Sequence, residues 1–229
     1  GDANRIQVFG ANQTYLRTLG ETNQSGSDFA HFNSPRSLVV DANRRLYVAD
    51  GWNGRVQVYD ETGAYLTTIG GGTSSRTGDL RATHSIAVDA SGNVYVGEYW
   101  DNHRVQKFVP GTPNWRQVNI NGFGTRNRGA GALASFGGKL MAGTYAFSDG
   151  ADLWQLNGGW TQAATGGFGD PTNGGITRLF EFGGQLYTGV DNWDEAANRS
   201  TGAQLLRSTD GTTWNPVMTG GFGRIDNGG

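Results

Sequence analysis

Gly54-Arg55-Val56-Gln57-Val58-Tyr59 is the stretch from which the fold can be inferred, because the first half of the chain contains two near copies of it. The copies are Asn4-Arg5-Ile6-Gln7-Val8-Phe9 and His103-Arg104-Val105-Gln106-Lys107-Phe108, and the arginines lie 50 and 49 residues apart. Each copy belongs to a longer unit of short apolar runs separated by turn-forming Asp, Asn and Gly. A period of this length without helical periodicity predicts a repeated, four-stranded β unit.

The second half of the chain repeats a different unit. Trp115, Trp160 and Trp214 each precede a Gly-Phe-Gly, at 122–124, 167–169 and 221–223, with spacings of 45 and 54 residues. This unit also reads as four strands, and its recurring tryptophans are predicted to lie in the core.

Taken together, the repeats predict an all-β fold, a β-propeller of four-stranded antiparallel blades. About four and a half blades are expected in a single domain over residues 1–229. The predicted boundaries are a half blade at 1–20 and blades at 34–70, 83–121, 130–166 and 176–220. Because the first unit is only a half blade, we expect either that the sequence is a segment of a longer chain or that another chain completes the ring.

The first-half unit resembles the NHL repeat over residues 1–110. The match runs from Pro35 to Gly70 almost without interruption, whereas the next unit has Thr83 in place of Pro and Gly97-Glu98 in place of Ala-Asp. The second-half unit, residues 111–229, is similar to the repeats of kelch-like and galactose-oxidase-like propellers. Both resemblances imply radially arranged blades. An Arg at a strand end can bond carbonyls of a neighbouring blade, so Arg55 and Arg104 are predicted to be structural.

Composition narrows the classes of partner. The net charge of −2 and the pI near 5.9 supply no basic field for phosphates, so no nucleic-acid partner is expected. The absence of Cys excludes disulfides and thiolate metal sites. No apolar run approaches the length needed for membrane insertion. Only Lys107 and Lys139 are lysines among eighteen cationic residues, a bias that GC-rich coding explains as readily as function.

Of the three histidines, His31, His84 and His103, the best candidate for a metal ligand is His84. The NHL-like lyase that completes peptide amidation binds metal through histidines of neighbouring blades, and its Pro-His-Ser-Leu resembles Thr83-His84-Ser85-Ile86. One unit earlier the equivalent residue is Arg36, and that family carries cysteines that are absent here. The sequence therefore predicts no cofactor, with Ca²⁺ or Zn²⁺ as the alternatives.

Aromatic residues on loops give the best indication of a binding site. The candidates lie in equivalent interstrand loops and in the long insertion near residue 191, where exposed rings would suit sugar rings or an apolar patch of a protein. They are Trp52, Asn53, Tyr99, Trp100, Asn102 and Trp193. The alternative is that these rings cover blade edges.

No convergent catalytic set is visible, so the sequence predicts a non-enzymatic binding or scaffolding propeller. Its partner would be a protein or a glycan, at the cell surface or outside the cell. The alternatives are a metal-dependent lyase or hydrolase with its site in the channel, and a structural subunit of a larger extracellular assembly.

Overall fold

The computed structural model describes residues 3–72, 74–99, 102–111, 115–119, 123, 129–146, 149–194 and 199–223. These residues form an all-β structure of separate antiparallel sheets, as predicted. A half blade consists of β1 (Arg5–Phe9) and β2 (Tyr15–Gly20). Blade 1 follows, with β3 (Pro35–Val40), β4 (Leu46–Asp50), β5 (Arg55–Tyr59) and β6 (Tyr65–Gly70).

Three further blades follow in chain order. Blade 2 contains β7 (Thr83–Val88), β8 (Val94–Glu98), β9 (Val105–Phe108) and β10 (Trp115–Gln117). Blade 3 contains β11 (Ala130–Phe136), β12 (Lys139–Thr144), β13 (Leu153–Asn157) and β14 (Gly159–Ala164). Blade 4 contains β15 (Asn173–Phe182), β16 (Gln185–Asp194), β17 (Arg199–Ser200), β18 (Gln204–Ser208) and β19 (Asn215–Met218).

Within each blade the strands pair in chain order, so the first strand is innermost. In blade 4 the short β17 pairs with the end of β16 beside the main sheet. The four inner strands, β3, β7, β11 and β15, line a channel of about 800 Å³. Blade 4 differs from the expected boundary, because β15 begins at Asn173, where it pairs with Asn192 of the extended β16.

Buried apolar side chains fill the space between neighbouring blades. Val56, Leu80 and Ile86 belong to one cluster formed by blades 1 and 2, and Leu153, Ile176 and Leu186 belong to another formed by blades 3 and 4. Each blade therefore buries its faces against its neighbours, as a repeat array requires.

The arginines of the first-half repeat are structural. Arg55 is 6% exposed, pairs with the buried Asp50 (Nε to Oδ2, 2.8 Å) and donates to the carbonyls of Ser27 and Asp28 in the preceding interblade loop. The next residue but one, Gln57, donates to the carbonyl of His31 in the same loop. The repeat therefore fixes the loop that leads into blade 1.

The second-half repeat joins neighbouring blades through aromatic pairs. Phe123 of one Gly-Phe-Gly packs edge-on against Trp160 at a ring separation of 4.9 Å, and Phe168 of the next packs against Trp214 at 5.0 Å. Trp160 and Trp214 are thus partly buried at blade contacts, and the side chain of Trp115 lies outside the described part of the chain.

No helix among the described residues is long and apolar enough to cross a membrane.

Candidate functional site

A cluster of polar and aromatic side chains lies at one end of the channel, where the inner strands begin; we call this end the mouth. The cluster arises from a local irregularity that recurs at the same place in the inner strand of all four blades. The pairing register slips by one residue, as at a β-bulge, between Pro35 and Ser37 and at the three matching positions. The residues left out of register are Arg36, His84, Gly131 and Thr177.

A β-bulge turns an unpaired side chain away from the regular alternation of a strand, and bulges occur often beside functional sites. The bulge position therefore contributes one residue per blade whose identity the sheet does not dictate. A second equivalent position directly follows the second strand in blades 1 to 3 and lies within the longer β16 in blade 4. The residues there are Gly51, Tyr99, Tyr145 and Asp191.

His84 is the central residue of the cluster. Its Nδ1 donates to the carbonyl oxygen of Gly131 at 2.9 Å, which leaves Nε2 as the unprotonated nitrogen of the neutral ring. Nε2 has no hydrogen-bond partner among the residues that the structure describes. Burial, with a smaller effect from the charges of Arg36 and Arg178, lowers the pKa of His84 to about 4. At neutral pH the imidazole is therefore an uncharged acceptor.

Two tyrosines pack around the imidazole. The ring centroids of His84 and Tyr99 are 5.4 Å apart, and those of Tyr99 and Tyr145 are 4.8 Å apart. Tyr145 is fixed because its ring lies in a slot between Gly131 and Gly175. A Cβ at Gly131 would lie 2.2 Å from its Cε2 atom, and one at Gly175 would lie 2.4 Å from its Cε1 atom. Burial raises the pKa of Tyr145 to about 12, so its hydroxyl stays protonated at neutral pH.

Arg36 connects this cluster to the rim of blade 1. Its guanidinium lies 5.4 Å from the ring centroid of Trp52, a cation–π contact that holds the indole near the mouth. A Cβ on Gly51 would come within 3.1 Å of Arg36 Nε, so the glycine leaves room for this arrangement. On blade 4, burial raises the pKa of Asp191. The negative charge of Asp191 in turn contributes to the raised pKa of Tyr145.

The candidate residues from the sequence have different environments. Trp52 and Trp193 are 55% and 47% exposed, as expected for binding surfaces. The expectation that Tyr99 lies on an exposed loop is wrong, because it is 8% exposed and packs on His84 and Tyr145. Trp100 lies outside the described residues.

The two candidate amides support the loops. Asn53 Nδ2 donates to the carbonyl of Gly26 and to Asp50 Oδ2, at 2.7 and 2.8 Å. Asn102 Nδ2 donates to Glu98 Oε2 at 2.6 Å. Asn53 therefore uses both hydrogens of its NH₂ group and can offer a ligand its amide oxygen, whereas Asn102 uses one of the two.

A metal does not fit the described residues. No three His, Asp or Glu side chains in the described ranges converge closely enough to hold an ion, and His84 is the one imidazole in the mouth cluster. Metal sites in proteins normally draw three or more protein ligands together.

Sequence reasoning missed Tyr145 and Arg178, and it considered Asp191 only as part of an acidic cluster that could bind a cation or a partner. Tyr145 can be found by aligning the two repeat types on the glycines Gly97, Gly143 and Gly189, each of which lies two residues before the second equivalent position.

Comparison with known proteins supports an NHL β-propeller. Residues 32–59 and 84–108 match the NHL repeat family. Peptidyl-glycine alpha-amidating monooxygenase A of Xenopus laevis is 34% identical over 119 residues, which are 49% of this chain and 13% of that protein. A probable peptidyl-alpha-hydroxyglycine alpha-amidating lyase of Caenorhabditis elegans is 31% identical over 101 residues, 43% of this chain and 29% of that protein. The matched segment is thus a small part of these relatives.

Solved structures confirm the fold over 93–95% of the chain. A chain of the nidogen/laminin complex superposes with a TM-score of 0.66 at 13% identity, covering 95% of this chain and 76% of that one. Virginiamycin B lyase of Staphylococcus aureus gives a TM-score of 0.59 at 11% identity, with 93% and 62% covered. The extracellular domain of BT4673 from B. thetaiotaomicron gives 0.57 at 17% identity, with 95% and 26% covered. The similarity of the second half to kelch-like repeats stays a prediction.

Proposed function

We propose that this protein is a binding propeller that holds a protein or glycan partner at the mouth of its channel, at the cell surface or outside the cell. The observation that carries the proposal is the arrangement of Trp52, Arg36 and the His84–Tyr99–Tyr145 cluster at one end of the channel. An exposed indole beside fixed polar groups is the combination that binding surfaces use for sugar rings and for aromatic or acidic peptide side chains.

The electrostatics of the mouth favour an uncharged or acidic group of the partner. Arg36 and Arg178 both act on His84 and Tyr145, which are uncharged at neutral pH. The arginines can donate to a carboxylate, and the free Nε2 of His84 can accept from a hydroxyl. An extracellular location is consistent with the fold of the BT4673 domain, which is itself extracellular.

The test is binding of the purified chain to a glycan array and to a panel of extracellular-matrix proteins. We expect Trp52→Ala to weaken the affinity for any bound partner by tenfold or more, as loss of an anchoring Trp does at interfaces. Phe182→Ala is the matched control, because Phe182 is 72% exposed and lies at the other end of β15. Retention of full binding by Trp52→Ala, or no binding in either panel, would reject the proposal.

A lyase acting on a peptidyl-α-hydroxyglycine is the second candidate, and its support is the free Nε2 of His84 beside Tyr145 together with the similarity to amidating enzymes. In that reaction a base removes the proton of the carbinol hydroxyl, the carbon–nitrogen bond breaks, and protonation of the nitrogen yields a peptide amide and glyoxylate. His84 would be the base and Tyr145 the acid. Chromatography of a hydroxyglycine peptide tests it: glyoxylate release that His84→Gln abolishes would replace the binding proposal with this one.

A further inference from the structure

A second cleft lies on the opposite side of the molecule from the mouth, between blades 2 and 3. It has a volume of about 250 Å³ and is formed where β7 and β11 end and where the hairpins of blade 3 turn. Its lining contains residues of both blades. The polar ones are Asp89, Tyr95, Lys107, Arg116, Ser135, Lys139 and Asn157.

The cleft gathers an unusual share of positive charge for an acidic protein. Both lysines of the chain line it, although they come from different blades and from different repeat types, and Arg116 lies beside them. A coding bias toward Arg explains why lysines are rare, but it gives no reason for the two that remain to face the same 250 Å³ of space.

The three cations have no carboxylate partners among the described residues. Lys107 Nζ lies 5.4 Å from the ring centroid of Tyr95, and Lys139 Nζ donates to the neutral Oε1 of Gln155 at 3.0 Å. Some arginines of the protein instead pair directly with a carboxylate. Examples are Arg55 with Asp50 at 2.8 Å and Arg104 with Glu98 at 2.6 Å.

Asp89 is the one carboxylate that lines the cleft, and its oxygens are already used. Oδ1 accepts from the backbone N–H groups of Ser91 and Asn93, and Oδ2 accepts from Asn93 Nδ2 and from the hydroxyl of Tyr95. Burial alone would raise the pKa of Asp89, but these hydrogen bonds together lower it. Asp89 is therefore ionised at neutral pH. The cleft thus contains three cations and one carboxylate, whose oxygens already accept hydrogen bonds from other groups.

We propose that this cleft binds a tetrahedral oxyanion group, a sulfate or phosphate ester carried by a ligand of about monosaccharide size. Lys107 and Lys139 supply mobile ammonium donors from the two walls, and Arg116 supplies a planar guanidinium that can bind two oxygens of the group at once. Ser135 and Asn157 add neutral donors, and the half-buried Leu156 offers apolar surface to the C–H face of a sugar ring. The site is separate from the mouth and does not depend on the function proposed for it.

The small number of lysines makes the test direct. Protein labelled with ¹³C-lysine gives only two side-chain Cε signals in an NMR spectrum, and both report on the cleft. The probes are inorganic sulfate, inorganic phosphate, glucose 6-sulfate and glucose 6-phosphate, each compared with sodium chloride at equal ionic strength. We expect both signals to shift along one saturable curve with each of these oxyanions.

Substitutions then localise the binding. Arg116→Gln should weaken the affinity at least about tenfold, since it removes a charged hydrogen-bond donor. Arg207→Gln, which removes an exposed Arg from blade 4, should leave it unchanged. Circular dichroism checks that each variant is folded.

The probes also separate the two sources of the anion. Equal affinity for the inorganic ions and the sugar esters would identify a free anion as the ligand, and tighter binding of one ester class would identify a sulfated or phosphorylated sugar. Shifts that stay linear and match those in sodium chloride, or an affinity that Arg116→Gln does not change, would overturn the proposal.

Discussion

Replacement of Arg104 tests the claim that the repeated arginines hold the interblade loops. Arg104 is 4% exposed and Glu98 is 0% exposed, and Nε donates to Oε1 at 2.6 Å. The same guanidinium donates to the carbonyls of Ser75, Arg76 and Asp79 in the loop that leads into blade 2, at 2.7, 3.0 and 2.8 Å. Arg104→Ala removes all four bonds and leaves a carboxylate buried without its cation.

The expected cost follows from that buried charge. Removing one partner of a buried ion pair costs about 3–5 kcal/mol, which for a chain of this size is a fall in Tm of about 10 °C. Glu98 keeps hydrogen bonds from Asn102 and Gln106, so its charge is partly compensated. Adding Glu98→Gln to Arg104→Ala should therefore recover about 1 kcal/mol or more, because the uncompensated charge is gone.

Urea unfolding followed by near-ultraviolet circular dichroism measures these differences. The matched control is Arg44→Ala, since Arg44 also pairs with a carboxylate, Glu61 at 3.0 Å, but both partners are largely exposed. That substitution should cost less than about 1 kcal/mol. A loss for Arg104→Ala as small as that for Arg44→Ala would refute the argument that this arginine holds the loop.

Two further predictions concern the mouth. Gly131→Ala should destabilise the protein by about 2 kcal/mol or more in urea unfolding, because the added Cβ would overlap the Tyr145 ring. The control, Gly159→Ala, should be nearly neutral, because no atom lies within 4 Å of the added carbon. The second concerns pH. The pKa of His84 is about 4 in the folded state against 6.5 in the unfolded state, so protonation favours the unfolded state. The contribution of the neutral imidazole to the free energy of unfolding is therefore complete above pH 6.5 and is lost as the pH falls from 6.5 to 4. Between pH 7 and 4, the free energy of unfolding should fall by about 2 kcal/mol more in the wild type than in His84→Gln, a figure that allows for the partial exposure of the ring. Equal dependence of the unfolding free energy on pH in the two proteins would contradict the lowered pKa of His84.

The fold was predictable because each strand carries its own signal. The Arg-x-Gln motif, the Asp turns and the Gly-Phe-Gly segments recur at fixed offsets, and in the structure they perform repeated structural tasks. Asp41, for example, accepts from the N–H groups of Asn43 and Arg45, as a turn-forming Asp does. Side chains whose task is to hold a blade together are visible in sequence, because every blade needs them.

The sites were harder to predict because they depend on residues that the repeat does not specify. The burial of Tyr99 depends on a slot between glycines of blades 3 and 4, which places Tyr145 against it. The convergence of Lys107 and Lys139 depends on the angle at which blades 2 and 3 pack. Neither the burial of Tyr99 nor the convergence of the lysines can be predicted from residue spacing within one repeat. The scarcity of lysine is the one feature of the sequence that indicates the second.

The bulge position shows that the residues that hold the blades together differ from those that determine the chemistry of the mouth. In all four blades the backbone leaves the regular register at the same point, so the structure presents one side chain there whatever its type. The loops beneath are held by other residues, such as Arg55 and Arg104, so Arg36 and His84 are free to differ without loss of the blade. Gly131 illustrates the same freedom, because its missing side chain admits Tyr145 and its carbonyl sets the tautomer of His84. The chemistry of the mouth is therefore best sought where the repeats disagree with one another, since agreement between repeats reflects what every blade needs in order to fold.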